Sequence, residues 1–317
     1  MSPKYIVSVI LGILLVYTSC VNEDTAECHQ SVEVTLTLDS LSIDTGGEVE
    51  ADDIDTLKSV YLYIIGPDHE IVKVRTFDFL EVGETYTLDV NVPPGLYDFV
   101  IWTSQESPFG VNFDAPGMAT TRVNAEDALF RLDIPDDERI TYLIPRMFYG
   151  RLEQVLVTGE DQKISIPLVE NTNTIYLTVD GLPVCSDNYE YRITASDGNY
   201  YFDNSFARCD TFCYATTMRF EPGETSLNGM LRKLKLDDSR SPKLCITDIT
   251  TGEQLYPCAG EEVCDLVKLI RQAYRDDPDF SFDTHHTFHI TLTFDVNMAV
   301  TVGVDHWVSK NKEEDLM

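Results

Sequence analysis

Basic residues are scarce in this chain of 317 residues. Its 23 lysines and arginines stand against 54 aspartates and glutamates, which gives a formal net charge of −31. A surface this negative repels the phosphate backbone, so we do not expect the protein to bind nucleic acid. It also repels anionic lipid headgroups, so contact with a membrane must come from something other than a basic patch.

The sequence also lacks the short motifs of common catalytic sites. No G-x-S-x-G elbow, P-loop or dinucleotide fingerprint occurs. Carboxylate pairs are uninformative as evidence for glycoside hydrolysis, because 54 acidic residues make such pairs frequent. We therefore predict a protein that is not an enzyme and uses no cofactor.

The apolar run at the N-terminus is too short for a transmembrane helix, which needs roughly 20 apolar residues. Residues 6–16 instead have the length of a signal-peptide core, and no A-x-A-like cleavage site follows. Thr18 and Ser19 lead into Cys20, which resembles a bacterial lipobox, although Tyr17 replaces the usual aliphatic residue. We predict a lipoprotein signal peptide over residues 1–19 and lipid attachment at Cys20. The alternative is ordinary secretion, with Cys20 removed or disulfide-bonded.

The residues after Cys20 carry acidic groups at once, in the order Val21-Asn22-Glu23-Asp24. This tract resembles export signals that send some lipoproteins to the outer face of the outer membrane. We predict that residues 20–30 form a lipid-anchored linker. The protein is then exposed at the cell surface and held in the outer membrane by its lipid alone.

Cysteines cluster in the second half of the chain. Six of the eight lie there: Cys185, Cys209, Cys213, Cys245, Cys258 and Cys264. In an exported protein this cluster predicts disulfides, whose connectivity the spacing does not fix. One pair can be argued, because a two-residue hairpin turn at Thr251-Gly252 places Cys245 opposite Cys258 within disulfide range. Cys28 is then either free or paired with the second half.

Apolar residues alternate with polar ones along much of the chain, as is typical of β-strands that bury one face. The clearest alternating sets are Val32, Val34, Leu36 and Leu38; Tyr86, Leu88, Val90 and Val92; Ile164, Ile166 and Leu168; Ile175, Leu177 and Val179; and Phe288, Ile290, Leu292, Phe294 and Val296. Turn signals such as Asp197-Gly198 separate the strands at short spacing. One amphipathic helix is predicted over residues 261–275.

This pattern predicts an all-β fold of two tandem β-sandwich domains, with the helix in the second domain. The boundary is expected at residues 158–161, between two predicted strands. The first domain then covers residues 31–158 and the second covers residues 159–308. Residues 309–317 form a polar tail, which lacks the alternating apolar residues of a good donor strand.

Five segments carry a resemblance through their order along the chain. They are Val60-Tyr61-Leu62-Tyr63-Ile64 with the turn Gly66-Pro67-Asp68, Val92-Pro93-Pro94-Gly95-Leu96-Tyr97 running on to Trp102, Met147-Phe148-Tyr149-Gly150, Thr172-Asn173-Thr174-Ile175, and Val302-Gly303-Val304-Asp305-His306-Trp307. Together with the lipobox they resemble the FimB/Mfa2 family of fimbrial anchor lipoproteins, over almost the whole mature chain. The six clustered cysteines depart from the family pattern.

The resemblance implies two transthyretin-like Greek-key β-sandwiches. It also implies that the protein anchors the base of a fimbria (a type V-like pilus) to the outer membrane and limits its length, by β-strand exchange with a fimbrial shaft subunit. A chain tethered by its N-terminus cannot release its leading strand, so it offers only one polymerising interface. If a strand is donated, residues 288–296 or Val300, Val302 and Val304 are the better candidates.

Two other functions remain open. A glycan-binding or adhesion lipoprotein predicts an exposed aromatic patch, for which Tyr200, Tyr201 and Phe202 are the candidates. A carbohydrate-active enzyme predicts two carboxylates in a cleft, about 5–9.5 Å apart.

Histidine and tryptophan residues give weaker signals. On a strand, His285 and His289 lie about 13 Å apart, too far to share one ion, so we predict a solvated polar face and no metal at residues 285–289.

Trp102 and Trp307 could be platforms for sugars. Large aromatics within strands usually pack in the core, and we predict core positions for both.

Overall fold

The computed structural model describes residues 31–38, 56–81, 85–89, 92–103, 108–113, 123–184, 188–257, 263–305 and 307–308. The predicted signal peptide, linker and polar tail lie outside these described residues. Strands dominate the described part and one helix occurs in it, which confirms the predicted all-β class with a helix in the second half. No helix among the described residues is long and apolar enough to cross a membrane.

The elements follow a simple order of strands broken by one helix near the end. In chain order they are β1 (Ser31–Leu38), β2 (Thr56–Ile65), β3 (Glu70–Glu81), β4 (Thr85–Asp89), β5 (Gly95–Trp102), β6 (Phe109–Val111), β7 (Val123–Asn124), β8 (Leu129–Leu132), β9 (Arg139–Ile140), β10 (Phe148–Val157), β11 (Gln162–Glu170), β12 (Thr172–Asp180), β13 (Tyr189–Ala195), β14 (Asn199–Tyr201), β15 (Phe212–Met218), β16 (Leu227–Leu234), β17 (Lys243–Asp248), β18 (Gln254–Tyr256), β19 (Cys264–Asp265), α1 (Leu266–Ala273), β20 (Thr287–Phe294), β21 (Val300–Val304) and β22 (Trp307–Val308). The helix is shorter than predicted, because the Asp265 side chain caps its N-terminus and β19 occupies the residues just before it.

The first sheet has eight strands, in the order β4-β1-β11-β10-β5-β2-β3-β7. The N-terminal strand β1 lies inside this sheet, antiparallel to β4 and parallel to β11. Its alternate residues Val32, Val34 and Leu36 are buried, as the alternation predicts. The leading strand is therefore an integral part of the first sheet.

The expected boundary at residues 158–161 falls between two strands of this same sheet. Strand β11, assigned to the second domain by the sequence, pairs with both β1 and β10. Strand pairing therefore joins β11 to the first sheet. Its partner β1 lies about 130 positions earlier in the chain, and periodicity carries no information about such distant pairs. The two-domain organisation and its boundary stay predictions.

Two sheets form a sandwich in the second half. One runs β16-β12-β20-β21-β22, and the other runs β18-β17-β13-β15-β9, with β19 also paired to β17. Gly229 of β16 shows how closely the sheets approach, because a Cβ there would lie 2.7 Å from Met218 Sδ in β15 and 3.3 Å from Tyr191 Cδ1 in β13. The alternating residues of β20 face this interior and are buried, as predicted: Phe288, Ile290, Leu292 and Phe294.

The two halves of the chain share one continuous hydrophobic core. Strand β9 pairs with β15, and a small sheet in the order β14-β8-β6 joins residues from both halves. Trp102 is fully buried and stacks on Phe130 at 4.4 Å between ring centroids, which confirms its predicted core position. The side chain of Trp307 lies outside the described residues.

The hairpin around residue 251 exists, but its register differs from the prediction. Ile246 pairs with Tyr256 and Thr247 with Gln254, so the pairing is shifted by one position at Ile246 and by two at Thr247, with an irregularity between them. A wider turn replaces the two-residue loop, because the Asp248 carboxylate accepts hydrogen bonds from the backbone N–H groups of Thr250 and Thr251. Cys258 lies outside the described residues, so a Cys245–Cys258 bridge stays a prediction.

Gly150 allows β10 and β11 to approach, and its replacement tests the packing of the first sheet. A Cβ at Gly150 would lie 2.7 Å from Leu168 Cδ2 and 2.8 Å from the backbone oxygen of Pro167. We expect Gly150→Ala to lower the free energy of unfolding by about 1–3 kcal/mol, as overpacking usually does. Chemical denaturation of the purified variant measures this.

Gly110→Ala is the matched control, because a Cβ at Gly110 has no heavy atom within 4 Å among the described residues. We expect little change in its unfolding transition. Equal transitions for the two variants would contradict the tight approach of β10 and β11.

Candidate functional site

The leading strand combines a predicted tether with a buried position. Cys20, the predicted lipid site, lies outside the described residues and precedes Ser31 by eleven positions. An extended chain of that length spans at most about 40 Å. Val32 pairs with Gln162 and Leu38 with Leu168, so β1 starts beside the beginning of β11 and runs toward its end. The tether therefore joins the first sheet at the end opposite Glu170.

A run of buried polar residues links the first sheet to the second-half sandwich. We name it the polar junction, and it consists of Glu170, Asn171, Thr172, Asn173 and Thr174. All five residues are buried, and three of them have no exposed surface. Burial of polar groups is unfavourable unless hydrogen bonds within the protein replace those to water. The hydrogen-bond partners of these five residues therefore determine whether their burial is stable.

On the first-half side, the polar junction is held by an arginine. Arg146 donates two hydrogen bonds to the Glu170 carboxylate, from Nε at 2.9 Å and from a terminal nitrogen at 2.5 Å. The Thr172 hydroxyl donates to the same carboxylate at 2.7 Å, and the Asn171 N–H donates to Met147 O at 2.7 Å. The charge on Glu170 is thus paired and hydrogen-bonded inside the protein, as a buried charge requires.

On the second-half side, three separate segments contact the polar junction. The side chains of Asn171 and Asn204 exchange hydrogen bonds of 2.7 and 3.1 Å. Asn173 donates to His285 O at 3.2 Å and accepts from Leu236 N at 2.5 Å. Arg232 donates to the Thr174 hydroxyl at 3.1 Å. The junction therefore ties together loops and strands that are far apart in sequence.

A buried ion pair lies close behind the polar junction. Lys233 Nζ is 2.6 Å from Asp197 Oδ2, and both side chains are almost completely buried. The ammonium also donates to the backbone oxygens of Leu234 and Lys235, and the Tyr214 hydroxyl donates to Asp197 Oδ1 at 3.3 Å. Removing one partner of such a pair leaves an uncompensated charge, which costs about 3–5 kcal/mol. The pair fixes the end of β16 against β15 and the residues after β13.

Histidines 285, 286 and 289 lie among aromatic and charged side chains. No group of three or more metal-ligating side chains occurs in the described ranges. His289 stacks on Tyr176 with 4.8 Å between ring centroids, and His285 contacts Phe280 and Tyr274. His286 is half-buried, and its Nδ1 has no hydrogen-bond partner among the described residues. The solvated face predicted for His285 and His289 does not include His286, which lies near Arg146 and Glu170.

The predicted aromatic patch is also wrong. Tyr200 and Phe202 are buried, and only Tyr201 is exposed, at 40%. The reason is the pairing of β14 with β8, which draws the loop against the shared core, where Phe202 contacts Tyr63 and Tyr200 contacts Trp102. No exposed aromatic platform remains at residues 200–202.

Four of the clustered cysteines are described, and each is a free thiol: Cys209, Cys213, Cys245 and Cys264. Cys213 and Cys245 lie on β15 and β17, which flank β13 on opposite sides. Burial raises the pKa of the Cys209, Cys213 and Cys264 thiols, which disfavours reactive thiolates. Cys20, Cys28, Cys185 and Cys258 lie outside the described residues.

Comparison with known proteins identifies the family of this β structure. The family model for the fimbrillin-A associated anchor proteins Mfa1 and Mfa2 matches residues 24–313. The chain belongs to this family. The family resemblance carried by the ordered segments is thereby confirmed.

One curated relative of this Mfa2 family member is the minor fimbrium anchoring subunit Mfa2 of Porphyromonas gingivalis, which is 33% identical over 175 residues. That alignment covers 50% of this chain and 49% of the relative, so the chain spans about half the length of the curated relative it matches.

Two solved structures share the fold of this chain. The fimbrial anchor protein Mfa2 from P. gingivalis superimposes with a TM-score of 0.66 at 18% identity, covering 88% of this chain and 98% of that one. A DUF1812 protein of Bacteroides thetaiotaomicron gives a TM-score of 0.66 at 18% identity, covering 90% and 99%.

His286, which lies beside the polar junction, predicts how the stability of this family member depends on pH. Burial lowers the pKa of His286 below its usual 6.5; Arg146 lowers it further, and the opposing effects of Glu170 and Asp283 do not reverse the shift. The unfolded chain then binds the proton more readily than the folded one, so stability is retained above pH 6.5 and falls as the pH drops below it. We expect the melting temperature of His286→Asn to decrease less than that of the wild type between pH 7 and pH 5. Thermal melts at these pH values measure this.

His69→Asn is the control for this experiment, because the His69 side chain is 69% exposed and is solvated before and after unfolding. A fall in stability that is the same in wild type and His286→Asn would contradict the role assigned to His286.

Proposed function

We propose that this protein anchors the base of a fimbria to the outer membrane through a lipid on Cys20. Its membership of the Mfa2 family supports this role. The single observation that carries the proposal is the position of β1, which follows Cys20 by eleven residues and is buried between β4 and β11. A strand held by both a lipid and a sheet connects the membrane directly to the folded protein.

The direction of the strands supports a tether at one end and a free surface at the other. Strand β11 runs away from the tethered end to the polar junction, and β12 continues from the junction to Asp180. Strand β20 lies parallel to β12. The turn that follows β20 therefore lies at the end of the second-half sandwich that is away from the polar junction. Exposed apolar side chains occur there, including Val296 at 99% and Met298 at 39%. We propose that the shaft subunit attaches on this side.

A tethered β1 also explains why growth would stop at this subunit. In strand exchange, a subunit accepts a neighbour's strand in a groove vacated by its own. Leaving the sheet would expose Val32, Val34 and Leu36, and each buried aliphatic side chain contributes roughly 1.5–3 kcal/mol. The protein therefore offers one interface to the fimbria, which makes it a terminus and limits the length of the fibre.

The two candidate donor strands are not equivalent. Strand β20 lies between β12 and β21, so its release would dismantle the second-half sandwich. Strand β21 pairs with β20 along its length, and in the described part of the chain its other side pairs with β22 at Gly303 and Val304. If this subunit donates a strand, we propose that β21 is the donor and that β20 is not.

Cys20→Ala tests the anchoring role in living cells. We expect the variant to leave the membrane fraction and fibres to be lost from the cells, with long fibres released into the medium. Electron microscopy of cells and immunoblots of membrane and medium fractions measure this. Deletion of the gene should have the same effect on the fibres.

Cys28→Ala is the control, because it removes a second cysteine close to the first without touching the predicted lipid site. We expect attached fibres of normal length from this variant. Firmly attached fibres in cells that carry Cys20→Ala would reject the proposed tether.

A further inference from the structure

A small polar cavity opens beside the buried Lys233–Asp197 pair, where β13 ends and β17 begins. It has a volume of about 190 Å³ and is lined by Thr194, Ala195, Ser196, Asp197, Thr211, Arg240, Ser241, Pro242 and Lys243. Nothing in the proposed anchoring role uses this cavity. Its lining is unusual for so acidic a protein, because two cationic side chains and several hydroxyl groups meet there.

Arg240 is the central feature of the cavity. Its guanidinium group packs over the Phe206 ring at 4.5 Å and donates one long hydrogen bond of 3.4 Å to Ala207 O. No carboxylate within the described ranges forms an ion pair with it at 4.0 Å or less. Packing against an aromatic ring therefore positions this arginine, and its planar donor groups remain suited to bidentate binding of a carboxylate.

The acidic side chains near the cavity are already engaged. Asp197 is paired with Lys233, and the Asp265 carboxylate accepts hydrogen bonds from Ser241 and from Lys243 at 3.2 Å. Burial alone would raise the pKa of Asp265, but these hydrogen bonds outweigh it and lower the pKa. Asp237 acts on Arg240 only through space, and its own carboxylate accepts from Ser239 N at 2.7 Å. An anion entering the cavity therefore meets the cationic side chains of Arg240 and Lys243. The nearby carboxylates of Asp197, Asp265 and Asp237 already accept hydrogen bonds from groups of the protein.

We propose that this cavity binds a compact ligand that carries a carboxylate next to hydroxyl groups, of the sugar-acid or hydroxy-acid class. Arg240 binds the carboxylate, and Ser196 and Thr211 exchange hydrogen bonds with the ligand hydroxyls. Lys243 neutralises Asp265, so that this carboxylate does not repel the ligand. The volume is below the roughly 300–1,000 Å³ of sites for drug-sized ligands, so the site takes a single small unit.

Calorimetric titration of the full protein in detergent with glucuronate and with glucose tests this inference. The two probes share a ring and hydroxyl groups and differ in the carboxylate. We expect saturable binding of glucuronate, at least tenfold tighter than glucose.

Arg240→Gln should weaken glucuronate binding about 10–100-fold, the range for a lost charge-assisted hydrogen bond. Arg240→Lys should recover only part of the affinity, because it keeps the charge without the planar fork.

Arg271→Gln is the matched control, since Arg271 pairs with Asp238 and does not line the cavity. Equal binding of the two probes, no binding of either, or glucuronate affinity unchanged in Arg240→Gln would overturn the inference. Displacement of glucuronate by equimolar sulfate would also overturn it, since the site would then be a general anion site.

If Arg240→Gln does not fold, Lys243→Gln and the comparison of the two probes with wild type decide the question. The outcome is independent of fimbrial anchoring, because no fibre takes part.

Discussion

The structure depends on the burial of its leading strand. Strand β1 is antiparallel to β4 and parallel to β11, and the side chains of Val32, Val34 and Leu36 fill the core on one face of the first sheet. A strand in this position cannot detach without loss of its hydrogen bonds on both edges and of this apolar burial. Since the predicted lipid lies only eleven residues before it, membrane attachment and folding act on the same segment.

The polar junction is the second constraint, because it joins the first sheet to the second-half sandwich. Strand β11 leads into the junction and β12 leads out, with Asn171 between them. Apolar contacts alone are not directional, whereas the paired amides of Asn171 and Asn204 and the bidentate Arg146–Glu170 contact require one geometry. Buried, fully paired polar groups at this point thus set how the first sheet meets the second-half sandwich.

Local sequence patterns predicted the strands well and their partners poorly. The alternation in β1 and β20 and the core position of Trp102 follow from side-chain periodicity and size, which are local properties. The pairing of β1 with β11 is not local, so side-chain alternation could not predict it. Local patterns did not identify residues 170–174 as a buried junction, because their partners Asn204, Leu236 and His285 come from distant segments. Tyr200 and Phe202 were misjudged in the same way, since only the pairing of β14 with β8 buries them.

The central claim is that β1 stays in place while the protein holds a fimbria. Thr35 and Ser165 are direct partners on β1 and β11, so cysteines at both positions can form a disulfide that locks the strand. The measurement is the number and length of attached fibres in cells that carry Thr35→Cys with Ser165→Cys, under oxidising and reducing conditions, with each single variant as control. The account predicts attached fibres of normal number and length when the disulfide is formed. Loss of attachment on oxidation, with recovery on reduction, would contradict it.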